Sequence, residues 1–479
     1  MTSPTDILDP STEEVIASIA WSDEGAVDKA VVRATAAQKV WAAEPPVVRA
    51  RALRAFATAV EAHRAELADL EVANAGHLIC NALGGADNVR DVLEYSAGGV
   101  ERLLGDQIPV PGGIDLTFHE PIGVVAVIVP WNFPMVIAGW SLGPALAAGN
   151  AVIVKPAELT PLSVLRLEQV GREAGLPDGL FQVLPGAGPV AGDRLVTHSG
   201  VGHVVFTGST DVGRRIMSRA ATNITGVTLE LGGKSANIIF ADADLDAAVD
   251  GIPGAAFDNA GQDCCSRSRV LVQRSILNEF LSRLEPVVTG LPVGNPRSTS
   301  TVVGPLISAR QRDRVASYLE KGTRVAFQAA APSGPGYWFP PTVLEPVDLS
   351  SRAWREEIFG PVIAVAPFDD EQDAIRLAND TPYGLSGSIW TRDLTRALRM
   401  STAVRAGNLS VNSNSSVRYW TPFGGMKQSG IGRELGPHSL AHFTEVKNVF
   451  INTTSSTGMT SSNALPVPAS AGNTVSKES

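Results

Sequence analysis

The feature that most constrains the fold is a series of short apolar runs separated by segments long enough to form helices. In the first half of the chain these runs lie at 123–129, 151–154, 181–184 and 203–206. A second series follows at 236–240, 269–273, 362–367, 386–390 and 408–412. Strands that alternate with helices are joined by right-handed crossovers, so they run parallel in one sheet. The pattern therefore predicts two successive α/β units.

The segments around these runs have other periodicities. Apolar residues and arginines recur at helical spacing over 25–41 and 46–73, which predicts two amphipathic helices near the start of the chain. Proline, glycine and alternating β-formers over 108–118 predict a hairpin that projects from the main body. Beyond Asn452 the chain is rich in Ser, Thr, Ala and Pro, so we expect residues 453–479 to be disordered.

Length and charge limit the classes of protein. A chain of 479 residues exceeds one compact core, so two or three domains are expected. A net charge of −10 argues against nucleic acid or an anionic membrane as a partner and favours a small-molecule ligand. The apolar run 122–154 imitates a membrane span, but prolines and asparagines interrupt it, and a buried strand, loop and helix explain it better.

Cysteine and histidine usage narrows the compartment and the chemistry. The 3 cysteines are too few for a disulfide framework, and the N-terminus lacks the features of a signal peptide, so a cytoplasmic protein is expected. The 7 histidines show no metal-ligand spacing, so no metal is predicted.

One thiol and one carboxylate are candidates for chemistry. Cys264 follows a Gly-Gln-Asp turn, and Glu230 precedes Leu-Gly-Gly-Lys. A cysteine is a useful nucleophile only as the thiolate, so its surroundings must activate it; the arginines at 267 and 269 favour this, whereas Asp263 opposes it. An intracellular cysteine is more often a small buried hydrophobe, and a carboxylate beside Gly-Gly is often a turn partner. From the residues alone, both alternatives stay open.

The turn 206–213 is a candidate phosphate site. It places two glycines and two hydroxyls between a predicted strand and a predicted helix, and the N–H groups at a helix N-terminus attract a pyrophosphate. The turn lacks the Gly-x-Gly-x-x-Gly pattern, so a helix-capping turn without a ligand is the alternative.

A family resemblance emerges when the motifs are taken together and in order. They are Pro-Trp-Asn-Phe-Pro at 130–134, Lys-Pro-Ala-Glu at 155–158, the turn 206–213, Leu-Glu-Leu-Gly-Gly-Lys at 229–234, Gln-Asp-Cys at 262–264, Glu-Ile-Phe-Gly-Pro at 357–361 and Pro-Phe-Gly-Gly at 422–425. Over about residues 7–452 the chain resembles the NAD(P)-dependent aldehyde dehydrogenase superfamily. Asn-Ala-Gly-Gln-Asp-Cys at 259–264 resembles the branch of γ-aminobutyraldehyde and betaine aldehyde dehydrogenases.

The resemblance implies an α/β fold with three parts and a particular assembly. A Rossmann-type NAD-binding domain would comprise 1–103 and 122–231, and an α/β catalytic domain would comprise 232–442. Strands within 104–121 and 443–452 would form a small β oligomerisation element, so a homodimer or homotetramer is expected.

The resemblance also implies a reaction. Cys264 would attack the aldehyde carbonyl, and the side-chain amide of Asn132 and the N–H of Cys264 would hold the oxyanion. Glu230 would then activate water to hydrolyse the thioester. Relatives that transfer the acyl group to coenzyme A usually lack this base, so hydrolysis is favoured.

The cofactor residues follow from the same motifs. Lys155 and Glu158 match positions at the adenine ribose, where a carboxylate repels a 2′-phosphate, so NAD is expected rather than NADP. Glu357 and Phe359 match the pair at the nicotinamide ribose, although a strand-leading turn is the alternative. The remaining matched positions are Trp131, Thr207, Gly208, Ser209, Gly213 and Leu231.

The substrate is predicted from the neighbours of the nucleophile. A cationic ω-amino group would pair with Asp263, which makes an ω-aminoaldehyde the expected substrate; the alternative is that Asp263 caps the turn or pairs with an arginine. Phe133, Trp140 and Phe423 match the aromatic walls of a substrate tunnel, or else they pack in the core. A broad-specificity aldehyde dehydrogenase, a coenzyme-A-acylating relative and a non-catalytic relative are the other hypotheses.

Overall fold

Strands and helices alternate along most of the computed structural model, which describes residues 4–319, 322–415 and 417–454. The strands are β1 (Thr5–Leu8), β2 (Val15–Ile19), β3 (Gln107–Val110), β4 (Gly113–Pro121), β5 (Val124–Ile128), β6 (Ala151–Lys155), β7 (Phe181–Val183), β8 (His203–Thr207), β9 (Gly226–Glu230), β10 (Ala236–Ile239), β11 (Arg269–Gln273), β12 (Val325–Gln328), β13 (Thr342–Leu344), β14 (Val362–Phe368), β15 (Ser386–Trp390), β16 (Asn408–Val411), β17 (Gly430–Ile431) and β18 (Thr444–Asn452).

Fourteen helices connect or flank these strands in the part of the chain that the structure describes. They are α1 (Glu24–Ala43), α2 (Pro46–Ala62), α3 (Arg64–Ala75), α4 (Ile79–Gly99), α5 (Pro134–Ala147), α6 (Leu162–Glu173), α7 (Asp193–Thr197), α8 (Thr210–Ala220), α9 (Leu245–Asp250), α10 (Leu277–Thr289), α11 (Ala309–Ala316), α12 (Arg352–Arg355), α13 (Glu371–Asn379) and α14 (Leu394–Ala403).

The first series of apolar runs forms a six-stranded sheet in the order β17-β9-β8-β5-β6-β7. Strands β5 to β9 are parallel, and only the short β17 pairs antiparallel, with β9. Every residue of β5 and β6 is buried, as expected for a parallel sheet covered by helices on both faces.

The second series forms a seven-stranded sheet in the order β12-β13-β14-β11-β10-β15-β16. In this sheet order, all strands from β13 through β14, β11, β10 and β15 to β16 run parallel to one another. The edge strand β12 pairs with β13 in the antiparallel direction. The predicted α/β class and the parallel direction of both strand series are therefore confirmed.

A three-stranded sheet in the order β18-β4-β3 contains the predicted hairpin, which β3 and β4 form. The chain divides into two compact units: Met1–Leu103 with Glu120–Glu445, and Leu104–His119 with the chain from Val446 onwards. The boundary proposed between a cofactor domain and a catalytic domain stays a prediction. The predicted disordered segment 453–479 lies, from residue 455 on, outside the described residues.

Some local predictions need correction. The segment 46–73 is two helices, because the chain leaves helical geometry at His63, between α2 and α3. The N-terminal hairpin of β1 and β2 and the long helix α4 were not predicted. The apolar run 122–154 forms β5, α5 and β6, and within the described part of the chain no helix combines the length and apolarity needed to cross a membrane.

Candidate active site

Segments far apart in the sequence meet where strands of the first sheet end. The loop 129–133 follows β5, Gly208 and Ser209 follow β8, and Glu230 is the last residue of β9. In a parallel α/β sheet the carboxyl ends of the strands face the N-termini of the helices that follow, so ligands usually bind at this edge.

Two adjoining cavities open at this edge. The larger, of about 540 Å³, is lined by predicted cofactor residues: Trp131, Lys155, Glu158, Thr207, Gly208 and Ser209. The smaller, of about 160 Å³, shares four of these and adds Asn132, Glu230, Leu231, Cys264, Glu357 and Phe359. The predicted nucleophile, base and oxyanion donor therefore lie together, next to the predicted cofactor cleft.

The β8–α8 turn fits a pyrophosphate. Ser209 occupies the N-cap of α8 without a side-chain capping bond, so the first N–H groups of the helix remain for a ligand. The hydroxyl of Thr207 is buried without a hydrogen-bond partner. A side chain at Gly213 would place its Cβ 2.6 Å from the Cδ2 methyl of Leu231, so a larger residue here would displace the Leu231 side chain.

Lys155 and Glu158 line the larger cavity and not the smaller one. The Lys155 ammonium donates to the carbonyls of Pro156 at 2.7 Å and Gly186 at 2.8 Å, and burial lowers the pKa of this amine. The Glu158 carboxylate accepts the N–H of Gly188 at 2.6 Å, which orients it at the rim.

Glu357 and Phe359 close the smaller cavity. The Phe359 ring meets the Trp131 ring edge-on, with 5.1 Å between centroids. Glu357 accepts the N–H of Gly233 at 2.9 Å, and burial raises the pKa of its carboxyl to about 7 despite this hydrogen bond.

The loop before the nucleophile has an unusual backbone. Asn259, Ala260 and Gly261 have φ values of 48°, 55° and 70°, in the left-handed region that is unfavourable for a residue such as alanine. A Cβ at Gly261 would lie 2.2 Å from the carbonyl of Gly360, so this close approach requires glycine. The surrounding contacts hold the loop in this shape and set the position of Cys264.

The two adjacent cysteines differ in environment. Cys264 is partly exposed and lines the smaller cavity, whereas Cys265 is 4% exposed within an apolar cluster. The hydrogen bond with the Cys265 thiol and burial raise the pKa of the Cys264 thiol well above its usual range, and the Asp263 carboxylate adds to this effect. These effects favour the neutral thiol over the thiolate.

The arginines expected to activate this thiol are used elsewhere. The Arg267 guanidinium donates to the carbonyl of Cys265 at 2.8 Å. Arg269 donates to the carbonyls of Lys234, Leu377 and Ala378, each at 2.8 Å.

Glu230 is a buried carboxylate, 3% exposed. The nearest hydrogen-bonding group is the backbone of Gly425, whose geometry is poor and which only partly offsets the effect of burial on the pKa of this carboxyl. Glu230 packs on Gly424, where an added Cβ would approach its Oε1 to 2.6 Å. Burial raises the pKa of this carboxyl well above its usual range, and the charge of Glu434 raises it further. A carboxylate with a raised pKa is a stronger base than an exposed one.

Glu434 was not anticipated from the sequence. It is 4% exposed, it accepts the hydroxyl of Ser141 at 2.6 Å, and burial raises the pKa of its carboxyl to about 7. No local sequence motif contains Glu434. This residue matters because the chain near residue 434 passes close to the end of β9, where Glu230 lies.

Asn132 is held at both ends. Its side-chain amide donates to the carbonyl of Gln262 at 3.0 Å, which ties it to the nucleophile loop. Since a primary amide has two N–H donors, one remains for a ligand. Its backbone carbonyl accepts from His77 and Asn259.

The predicted substrate residues do not all meet. The rings of Trp140 and Phe423 pack with 5.1 Å between centroids, in the apolar cluster that also contacts Cys264. Phe133 instead packs on His77 and on the core of the first sheet. The Asp263 carboxylate accepts the N–H of Cys265 at 2.9 Å, and burial raises its pKa. This hydrogen bond is the turn-capping arrangement weighed above.

Comparison with known proteins identifies the family. The model described as "Aldehyde dehydrogenase family" matches residues 2–449. The aldehyde dehydrogenase of Aspergillus niger is 42% identical over 449 residues, covering 92% of this chain and 90% of that protein. Betaine aldehyde dehydrogenase 2 of Rhizobium meliloti is 42% identical over 454 residues, covering 93% of each.

A similar structure supports the same assignment. PnpE from Pseudomonas sp. WBC-3, solved also in complex with nicotinamide adenine dinucleotide, has a TM-score of 0.92 and 40% identity, covering 94% of this chain and 95% of PnpE. This chain belongs to the aldehyde dehydrogenase family. The superfamily and fold class predicted from the sequence are confirmed.

Proposed function

We propose that this chain oxidises an aldehyde to the carboxylic acid through a thioester on Cys264, which water then hydrolyses. Oxidation of an aldehyde is the activity of the family. The observation that supports the covalent and hydrolytic steps is the cavity of about 160 Å³, which brings Asn132, Glu230 and Cys264 together from three separate segments.

NAD is the cofactor, and the prediction of an NAD-dependent oxidoreductase is confirmed. PnpE binds nicotinamide adenine dinucleotide in a structure that matches this chain closely. The cleft of about 540 Å³ supplies a helix N-terminus for the pyrophosphate and a carboxylate, Glu158, for the ribose hydroxyls. When bound, NAD accepts a hydride from the substrate carbon. A preference for NAD over NADP is part of the proposal.

Acylation depends on Cys264 and Asn132. The S–H proton of Cys264 passes to solvent as the sulfur bonds to the carbonyl carbon, and the electron pair of the C=O bond moves to oxygen. That pair re-forms the C=O bond when the hydride leaves the carbon for bound NAD, which yields the thioester. The free N–H of the Asn132 amide and the N–H of Cys264 donate to that oxygen. An oxyanion donor of this type contributes about 3 to 4 kcal/mol in comparable sites.

Hydrolysis depends on Glu230. Its carboxylate removes a proton from water as the water oxygen bonds to the thioester carbon. The C–S bond then breaks, and the departing thiolate takes up the proton held by Glu230, which restores the thiol and the carboxylate. Burial raises the pKa of Glu230, which makes it a stronger base than an exposed carboxylate. A coenzyme-A-acylating enzyme has no need of this base, so hydrolysis is favoured over acyl transfer.

The substrate class we propose is an ω-aminoaldehyde. Ligand atoms of Asp263 and Cys264 lie within 4.8 Å of each other, so a half-buried carboxyl group stands close to the nucleophile. The Asp263 carboxylate accepts the N–H of Cys265 and also interacts with the side chain of Cys264, so a cationic group at this carboxylate would lie beside the nucleophile. The apolar pair of Trp140 and Phe423 favours the alternative, a broad range of aliphatic and aromatic aldehydes.

A homodimer or homotetramer and a cytoplasmic location complete the proposal. The strands β3, β4 and β18 expose large apolar side chains, which typify an interaction surface: Ile108, Ile114, Phe118, Val446 and Phe450. The free thiols suit a reducing compartment. Light scattering of the purified protein measures the assembly directly, and a monomer would contradict it.

The experiment that tests the nucleophile compares two adjacent thiols. Cys264→Ala should abolish aldehyde-dependent formation of NADH, because only this thiol faces the cavity. Cys265→Ala should keep most of the rate and serves as the matched control. Comparable losses in the two variants would refute the assignment.

A further inference from the structure

His77 is a buried ring next to Asn132 that the steps above do not use. It lies in the turn between α3 and α4 and is 5% exposed. Its Nε2 is 2.6 Å from the backbone carbonyl oxygen of Asn132, and its Nδ1 is 3.1 Å from Oε2 of Glu71, which is 1% exposed. The ring therefore links a buried carboxylate to the backbone of the predicted oxyanion donor.

The partners determine which ring atoms carry protons. A carbonyl oxygen only accepts, so Nε2 must carry a hydrogen and donate it. On the other side Nδ1 lies at ion-pair distance from a carboxylate, without the geometry of a hydrogen bond, and this negative charge favours the imidazolium form of His77. A buried charge is tolerated when it is paired in this way.

The surrounding charges agree with this arrangement. Burial lowers the pKa of His77, but the contact with Glu71, the carbonyl of Asn132 and the charge of Asp258 outweigh it, so the pKa of the imidazole is raised. The remaining neighbour described against the ring is Phe133, an uncharged aromatic side chain with 5.3 Å between ring centroids.

Asn132 is thus fixed from two directions. His77 donates to its carbonyl from the α3–α4 turn, and Nδ2 of Asn259 donates to the same oxygen at 3.0 Å from the nucleophile loop. The side chain of Asn132 extends from this backbone towards Gln262. A shift of the backbone would therefore move the amide relative to Cys264.

We propose that His77 is a positioning residue for the acylation step, holding the backbone of Asn132 through its Nε2–H so that the amide stays aimed at the oxyanion. This inference rests on the proposed function, because it assigns His77 a role only if Asn132 stabilises an oxyanion. A misplacement of about 1 Å in such a group costs about 100-fold in rate.

The test replaces His77 by glutamine or by asparagine, two amide side chains that differ in length. The amide nitrogen of glutamine takes the place of Nε2 of histidine, whereas that of asparagine takes the place of Nδ1. Both substitutions are made together with Glu71→Gln, so that no unpaired carboxylate remains buried. The rate of the first turnover, the affinity for NAD and the melting temperature are measured for each variant.

We expect His77→Gln with Glu71→Gln to acylate within about threefold of Glu71→Gln alone, and His77→Asn with Glu71→Gln to be slower by tenfold or more. The affinity for NAD should be equal in all variants, which a general loss of structure would not permit. His203→Gln is the control for loss of a buried histidine, since His203 contacts Thr228 at 3.0 Å, and it should acylate at the wild-type rate.

Equal acylation rates in the glutamine and asparagine variants would overturn the proposal. If the double variants do not fold, His77→Lys and His77→Leu provide the second test: the lysine keeps a cation opposite Glu71 and should acylate faster, and equal rates again overturn it. Failure of the proposed function is distinguishable, because the wild-type protein would then form no NADH that depends on Cys264.

Discussion

Replacing Glu230 by glutamine should separate the two halves of the reaction. Glutamine matches the size of glutamate and can keep the packing on Gly424, but it cannot take a proton from water. Loss of a general base costs about 10²- to 10⁴-fold, so steady-state turnover should fall by at least about 100-fold. The first turnover should persist, because it requires the thiol of Cys264 and the amide of Asn132 but no activated water.

The assay is stopped-flow absorbance of NADH after Glu230→Gln is mixed with aldehyde and excess NAD. We expect a burst that approaches one NADH per active site, followed by a slow phase. Hydroxylamine added after the burst provides the control: as a stronger nucleophile than water, it should cleave the accumulated thioester without the base and free the thiol of Cys264. Unchanged steady-state turnover, or loss of the burst itself, would refute the division of roles between Glu230 and Cys264.

Three further predictions concern carboxylates. Glu158→Gln should reduce the preference for NAD, and a larger kcat/KM with NADP in the unaltered protein would contradict the role of Glu158. Asp263→Asn should lower kcat/KM for 4-aminobutanal by about 5- to 150-fold and spare butanal; an equal fall for both would show that Asp263 only caps its turn. Glu434 has a pKa of about 7, raised from 4.5, so the stability linked to its proton is present below pH 4.5 and is lost as the pH rises through 7. The melting temperature of Glu434→Gln relative to the wild type should therefore rise across that range, and a constant difference would contradict the pKa.

The parallel sheets were predictable because buried parallel strands are apolar along their whole length. The runs at 203–206 and 269–273 became β8 and β11 with almost no change of boundary. The N-terminal hairpin was missed because the residues of β2 are largely exposed, so its sequence lacks the buried apolar face that marks a strand. The break at His63 was missed because no proline or glycine interrupts the helical periodicity there.

The candidate site was predictable where a motif contains the residue, as for Cys264 and Glu230. Contacts between distant segments were not predictable. Glu434 lies beside Glu230 only because the chain returns to the end of β9, and His77 reaches Asn132 only because the α3–α4 turn packs there. The surroundings of Cys264 also differ from the expectation, since the arginines that follow it bind backbone carbonyls.

The central claim is that Cys264 carries the acyl group before Glu230 directs its hydrolysis. Peptide mass spectrometry of Glu230→Gln, quenched in acid after mixing with aldehyde and NAD, tests this claim most directly. We predict an acyl adduct on Cys264 that is absent without NAD and is removed by hydroxylamine. An adduct on Cys265, or no adduct while NADH is formed, would contradict the account.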